Sequence, residues 1–465
     1  MPRNILFIFI LLYSFFTEVQ AQSFSIKGRI DGYTNDQLFL ISLYGNKTTN
    51  IDTAITDQAG NFIFIVPETT HIGLLKIYFR DPNTNMLNNE RGINIIFNKE
   101  NVNFTSNFTD LYRQLVILES EENKLYYSVL TKHLNNFYAF ETAKNKLSYY
   151  AETDSFYKNI VKYHNETLLN ANTQLNEMLK GHEDKYAYVL LSTYRIPWMD
   201  ASLSLNPRTK QLIENYFSNL DFSTSSLLYS DIIPTKIMEF FNVHGSLQFI
   251  DEKDRSDTYK KATEIILFKA FDNPEIYDFV LGFLLNTFEK YHEVELVKYL
   301  TFYIESNKCH SDKELTENER LILNSIHSVE GATVNNFSFQ DILTEKKYSL
   351  YDIKSDYTLI VFWGQFCEHC KLTMPKLKEL YDRYNRNELS VVAISLDTEE
   401  PDYIEYLKTN EMIDWYNSCD FIGWEGPLAK TFGIRFTPMF ILLDKSKKII
   451  ARTEFAKLES LLPKK

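Results

Sequence analysis

Cys367-Glu368-His369-Cys370 is the stretch of this chain whose residue types and spacing can do chemistry. Two cysteines three positions apart on a helix lie about one turn from each other, close enough to make and break a disulfide. The flanking pattern supplies that helix. Leu359-Ile360-Val361 reads as a buried strand, and Met374, Leu377, Leu380, Tyr381 and Tyr384 recur at three- and four-residue spacing, as an amphipathic helix requires. The cysteines therefore sit where a strand hands over to a helix. The first turn of that helix offers unpaired N–H groups and the positive end of its dipole, so Cys367 is expected to ionise more readily than a free cysteine. Being nearer the helix start it is the expected nucleophile, and the deeper Cys370 the resolving thiol. A cationic His369 between them would favour the thiolate further, and Glu368 would oppose it; both are expected to tune the pKa of the pair.

Other uses of the motif fit less well. A metal site built on Cys367, His369 and Cys370 lacks a fourth ligand. Lys371 follows Cys370 where haem attachment needs a histidine. A peroxidase pattern needs Pro and Thr upstream of its cysteine, and Ile360 and Gly364 stand there. No metal and no cofactor is expected. The remaining cysteines, Cys309 and Cys419, are expected as separate thiols, with a disulfide between them as the alternative. Four cysteines in 465 residues are too few for a disulfide-stapled scaffold.

The elements that must position this motif follow from the whole chain. Its length allows about three domains. A net charge of -13 without a basic block makes nucleic acid an unexpected partner. Residues 1–21 read as a signal peptide: Arg3, an apolar run from Ile5 to Phe16 broken only by Ser14, then Val19-Gln20-Ala21 as a cleavage region. An uncleaved N-terminal anchor is the alternative. Residues 22–110 alternate as roughly seven short strands, which suggests an antiparallel β-sandwich. Asp57-Gln58-Ala59-Gly60 is expected to turn a hairpin there. Residues 111–330 are expected to form an all-α domain. Tyr126, Val129, Leu130, Leu134, Phe137 and Phe140 line one helix face, and Asn273-Pro274-Glu275 opens another helix with Asn as cap. His133, His164, His182 and His292 show no ligand spacing and are read as surface or satisfied core residues. Gly331 to Asn336 is the expected linker into a C-terminal α/β domain, residues 331–465.

That last domain resembles the thioredoxin superfamily, in particular the secreted bacterial thiol–disulfide oxidoreductases of the TlpA/ResA type. The resemblance rests on the CxxC, on Pro375 inside the following helix, and on Leu389 to Asp397 as the next core strand. It rests further on Gly433-Ile434-Arg435-Phe436-Thr437-Pro438 and on the closing hairpin around Asp444 and Lys448. It implies a thioredoxin-like fold with an extra βα element between Cys370 and Pro438. It also implies a cis-proline at Pro438 and substrate binding by Thr437, Pro438 and Trp363, with simple packing as the alternative for Trp363. The β-domain and helical insert look like those fused ahead of such proteins. By the same resemblance the protein is periplasmic and exchanges disulfides with protein substrates, as a reductase or isomerase, recharged by a membrane thiol reductant of the DsbD/CcdA type. A thiol reductase of cytochrome c maturation, or a partner-binding scaffold with secondary redox activity, are the alternatives. Two positions depart from the pattern. Phe366 replaces the usual tryptophan. Val361 stands where many thioredoxins bury an acid, so Glu368 or water would have to accept the proton.

Overall fold

Alternation of apolar and polar residues builds the N-terminal part. The computed structural model describes residues 23–80, 87–247, 249–291, 293–308, 314–325 and 329–463. The expected signal peptide, Cys309 and His292 lie outside them. Eight strands come first: β1 (Ser23–Asp31), β2 (Gln37–Tyr44), β3 (Lys47–Ile55), β4 (Asn61–Pro67), β5 (Gly73–Arg80), β6 (Leu87–Phe97), β7 (Val102–Asn107) and β8 (Val116–Glu119). They form two four-stranded sheets, ordered β4-β1-β7-β8 and β3-β2-β5-β6. Every second residue of β4 is buried. Ile26, Phe64 and Phe104 from the first sheet join Leu40, Ile77 and Ile95 from the second in one hydrophobic cluster.

Two expectations change here. The turn at Asp57–Gly60 forms, with Gly60 at φ +79, where an added Cβ would lie 2.3 Å from the Ile30 carbonyl oxygen. However, β3 and β4 do not pair across it as a hairpin; each joins a different sheet. Strand β8 also lies inside the stretch expected to be helical. It is four residues long, and so short an apolar run carries no period that separates strand from helix.

Helices α1 (Glu121–Tyr149), α2 (Tyr157–Leu179), α3 (Tyr186–Ser192), α4 (Leu205–Asn215) and α5 (Ile232–Gly245) follow. Ser120 caps α1 by accepting the Asn123 N–H. The buried face of α1 holds Tyr126, Val129, His133 and Phe140, whereas Leu134 and Phe137 are partly exposed. His133 and His164 are core histidines; His164 Nδ1 pairs with Asn165 Oδ1 at 3.1 Å, while His133 Nδ1 and His164 Nε2 are buried without a hydrogen-bond partner.

The chain divides into two compact units, one ending at Val243 and one starting at His244. The second contains α6 (Glu252–Ala270), α7 (Pro274–Lys290), α8 (Val294–Lys308) and α9 (Glu317–Ser325). Asn273 caps α7 by accepting the N–H groups of Glu275 and Ile276, with Pro274 in the first turn. Ile276, Phe279, Val280, Phe283 and Leu284 form its buried face.

Next come β9 (Ser338–Gln340), β10 (Lys347–Ser349), β11 (Tyr357–Trp363), α10 (Glu368–Tyr381), β12 (Leu389–Ser395), α11 (Glu400–Thr409) and β13 (Tyr416–Cys419). The chain closes with α12 (Pro427–Thr431), β14 (Met439–Leu443), β15 (Ile449–Thr453) and α13 (Phe455–Leu461). The main sheet is ordered β13-β12-β11-β14-β15, with β11, β12 and β13 parallel and β14 and β15 antiparallel. Strand β11 is central and its residues alternate between two cores. Leu359, Val361 and Trp363 pack with α10, α11 and α13, and Ile360 and Phe362 pack with β9, Leu350 and α12. The expected linker is not free. Gly331 N–H donates to the Ile449 oxygen at 2.9 Å and Val334 N–H to the Lys447 oxygen at 3.0 Å, so the stretch lies along the closing hairpin.

Candidate active site

Strand β11 is apolar because both of its faces are covered, and it delivers the chain to the motif at a fixed point. Cys367 is the N-cap of α10. Its sulfur accepts the backbone N–H of Cys370 at 3.2 Å, filling one of the donors that a helix start leaves open. On its other side the Cys367 thiol donates to the Thr437 carbonyl oxygen at 3.3 Å. Thr437 is joined to Pro438 by a cis peptide bond. One sulfur is thus bracketed by a helix terminus and by a loop 70 residues further along the chain.

The two cysteines differ in access. Cys367 is half-buried and Cys370 is fully buried; both are free thiols. Burial, then the hydrogen bond with Cys367, pushes the Cys370 thiol up to about 12, against smaller opposing effects of the Gly364 backbone and Thr437. Cys419 is half-buried and donates to the Asp397 carbonyl at 3.3 Å; burial pushes its thiol up to about 11. Burial thus favours the protonated form of both of these thiols, and within the CxxC pair Cys367 is the sulfur that reaches solvent.

Cys367, Cys370, Thr437 and Pro438 are therefore brought together. Glu368 and His369 lie exposed on the first turn of α10. Glu368 pairs with Lys371 at 2.7 Å, an exposed contact of little energetic weight. Trp363 is elsewhere than expected. It is fully buried, between Tyr403 and Tyr406 at ring distances of 5.8 and 5.4 Å, and its indole N–H has no partner. An enclosed ring has no face to offer a substrate, so Trp363 is a core residue. The exposed aromatic residues near the motif are Phe366, whose ring lies 6.2 Å from that of Trp424, and Phe436, next to Thr437.

A residue not foreseen from sequence completes the site. Asp397, just past the end of β12, is buried, and its carboxylate accepts the Gln365 N–H at 3.0 Å and the Ser395 hydroxyl at 2.5 Å. Burial raises its pKa against both of those hydrogen bonds. It holds the turn that carries the cysteines. Val361 is buried and apolar, so β11 carries no acid at that position. The available signal was an acid closing an otherwise apolar strand.

Comparison with known proteins agrees with this geometry. The Thioredoxin-like family matches residues 355–449. Thiol-disulfide oxidoreductase ResA of Bacillus thuringiensis subsp. konkukian is 29% identical over 120 residues, which cover 26% of this chain and 66% of that protein. A thioredoxin-like protein of Haemophilus influenzae is 29% identical over 122 residues, covering 26% of this chain and 68% of that one. A solved thiol-disulfide oxidoreductase from Bacteroides fragilis shares 29% identity, covers 28% of this chain and 99% of its own, and superposes with a TM-score of 0.25. The chain spans just under two thirds of the Bacillus relative. The matched segment falls on the strand, the CxxC helix and the Thr437 loop, and over it this chain is similar to the thioredoxin-like family and to the ResA-type thiol-disulfide oxidoreductases.

Proposed function

We propose that this protein is an exported thiol–disulfide oxidoreductase acting on protein disulfides through Cys367 and Cys370. The observation that carries the reading is the accessible Cys367 sulfur, held between the start of α10 and the Thr437 carbonyl with a buried thiol one turn below it. The Cys367 thiolate attacks one sulfur of a substrate disulfide. A mixed disulfide forms, and the other substrate sulfur leaves as a thiolate. Cys370 then gives up its proton and attacks Cys367, releasing the second substrate thiol and leaving the Cys367–Cys370 disulfide. Two electrons have passed to the substrate, and a dithiol reductant must return them. The exposed rings of Phe366, Trp424 and Phe436 favour a polypeptide over a small polar disulfide as client.

Export to a periplasm, recharging by a membrane thiol reductant of the DsbD/CcdA type, and a sandwich of the two N-terminal sheets acting as a docking or spacer domain complete the proposal. Within it, a general reductase or isomerase and a cytochrome c maturation reductase differ only in client. Insulin reduction by wild type and Cys367→Ser tests the reading. Wild type should precipitate insulin and the variant should match the enzyme-free control; equal activity in both, or none in either, contradicts it. A reduction potential near about -270 mV would assign the reductase direction, and one near about -120 mV an oxidant.

A further inference from the structure

The loop that carries Thr437 is fastened by a helix outside the segment matched to the thioredoxin-like family. Arg435, two residues before Thr437, donates its Nη1 to Asn286 Oδ1 at 2.6 Å, and Glu289 Oε2 lies 3.9 Å from the same nitrogen. Asn286 and Glu289 are three residues apart on α7 and so share one face. A second cation enters from β15. Arg452 donates Nη1 to the Phe432 carbonyl at 3.0 Å and Nη2 to the Gly433 carbonyl at 3.2 Å, and its Nη1 lies 3.9 Å from Glu289 Oε1. One carboxylate, only 6% exposed, therefore faces two guanidinium groups. Both guanidinium groups hold residues 432–435.

Burying such a cluster gains little net stability, because desolvation of the charges offsets their attraction. What it does give is a single geometry, since the planar guanidinium fork bonds in fixed directions. The segment so fixed runs directly into the carbonyl that touches Cys367. We propose that Asn286 and Glu289 are positioning residues for substrate recognition: through Arg435 they hold the backbone at Thr437 where an extended polypeptide pairs beside its own cysteine. This rests on the disulfide-exchange reading above. Its consequence is a distinction between substrates. A peptide disulfide needs the backbone edge at Thr437, whereas a small disulfide needs only access to the Cys367 sulfur.

Full-length Asn286→Ala removes the neutral acceptor and keeps all three charges, whereas Glu289→Gln strips the cluster of its carboxylate and is expected to melt lower. Wild type, Asn286→Ala and Asn286→Asp are compared on insulin and on 2-hydroxyethyl disulfide, with a melting curve for each. With that tether gone the Thr437 backbone must be ordered by the substrate itself, so Asn286→Ala should lose about tenfold in kcat/KM on insulin, carried by KM. Its rate with 2-hydroxyethyl disulfide should stay at the wild-type level, and Asn286→Asp, which retains the acceptor, should recover insulin reduction. Equal losses on both substrates, or no loss on either, overturn the proposal. Wild type inactive on both substrates overturns the exchange reading itself, and the positioning role with it.

Discussion

Cys367 and Cys370 share one turn of helix and meet different surroundings. The first accepts an N–H and reaches solvent; the second is sealed in the core with its thiol raised to about 12. That asymmetry supports the proposed roles, attack by Cys367 and resolution by Cys370, and the pair's placement was legible because the CxxC, the strand before it and the helix after it are contiguous in the chain. Asp397 was not legible in the same way, since its contact with Gln365 joins residues 32 apart. Its raised pKa has a consequence for stability. The fold opposes ionisation of this carboxyl, so unfolding takes up less free energy as pH rises from the ordinary carboxylate range through the raised value. Asp397→Asn lacks that proton. Urea titrations should therefore show the variant gaining on wild type across that window; a difference that stays constant with pH would contradict the account of Asp397 as a buried carboxyl whose ionisation the fold opposes.

Helix α10 and strand β11 behaved as their apolar periods required, and so did the capped start of α7. The misreadings have physical causes. Gly331 to Asn336 has linker composition, yet its backbone groups pair with the closing hairpin, a long-range match that composition does not encode. The Asp57–Gly60 turn has the local chemistry of a hairpin, but partner choice is settled by the shared core of the two sheets. For Trp363 the resemblance left substrate contact and packing open, and strand alternation turns it inward beside Val361 and Leu359. Trp363→Ala should then lower the unfolding free energy by about 3–5 kcal/mol in urea titrations, the usual cost of emptying a large aromatic site. Trp363→Phe should keep the wild-type KM for insulin. A raised KM at unchanged stability would return Trp363 to the substrate surface.

At the scale of the molecule, the family match reaches residues 355–449, while the chain invests far more sequence in sheets and helices upstream. Part of that investment, α7, bears directly on the Thr437 loop through Arg435, a contact across 149 residues that no local pattern announces. The proposed function reduces to one chemical event, attack by the Cys367 sulfur followed by release through Cys370. Trapping that event is the most direct test. The full-length Cys370→Ser variant, mixed with a disulfide-bonded peptide and analysed by mass spectrometry after acid quench, should accumulate one peptide joined to Cys367, whereas Cys367→Ser should accumulate none. An adduct on Cys370 in the second variant, or no adduct in the first, would contradict the account.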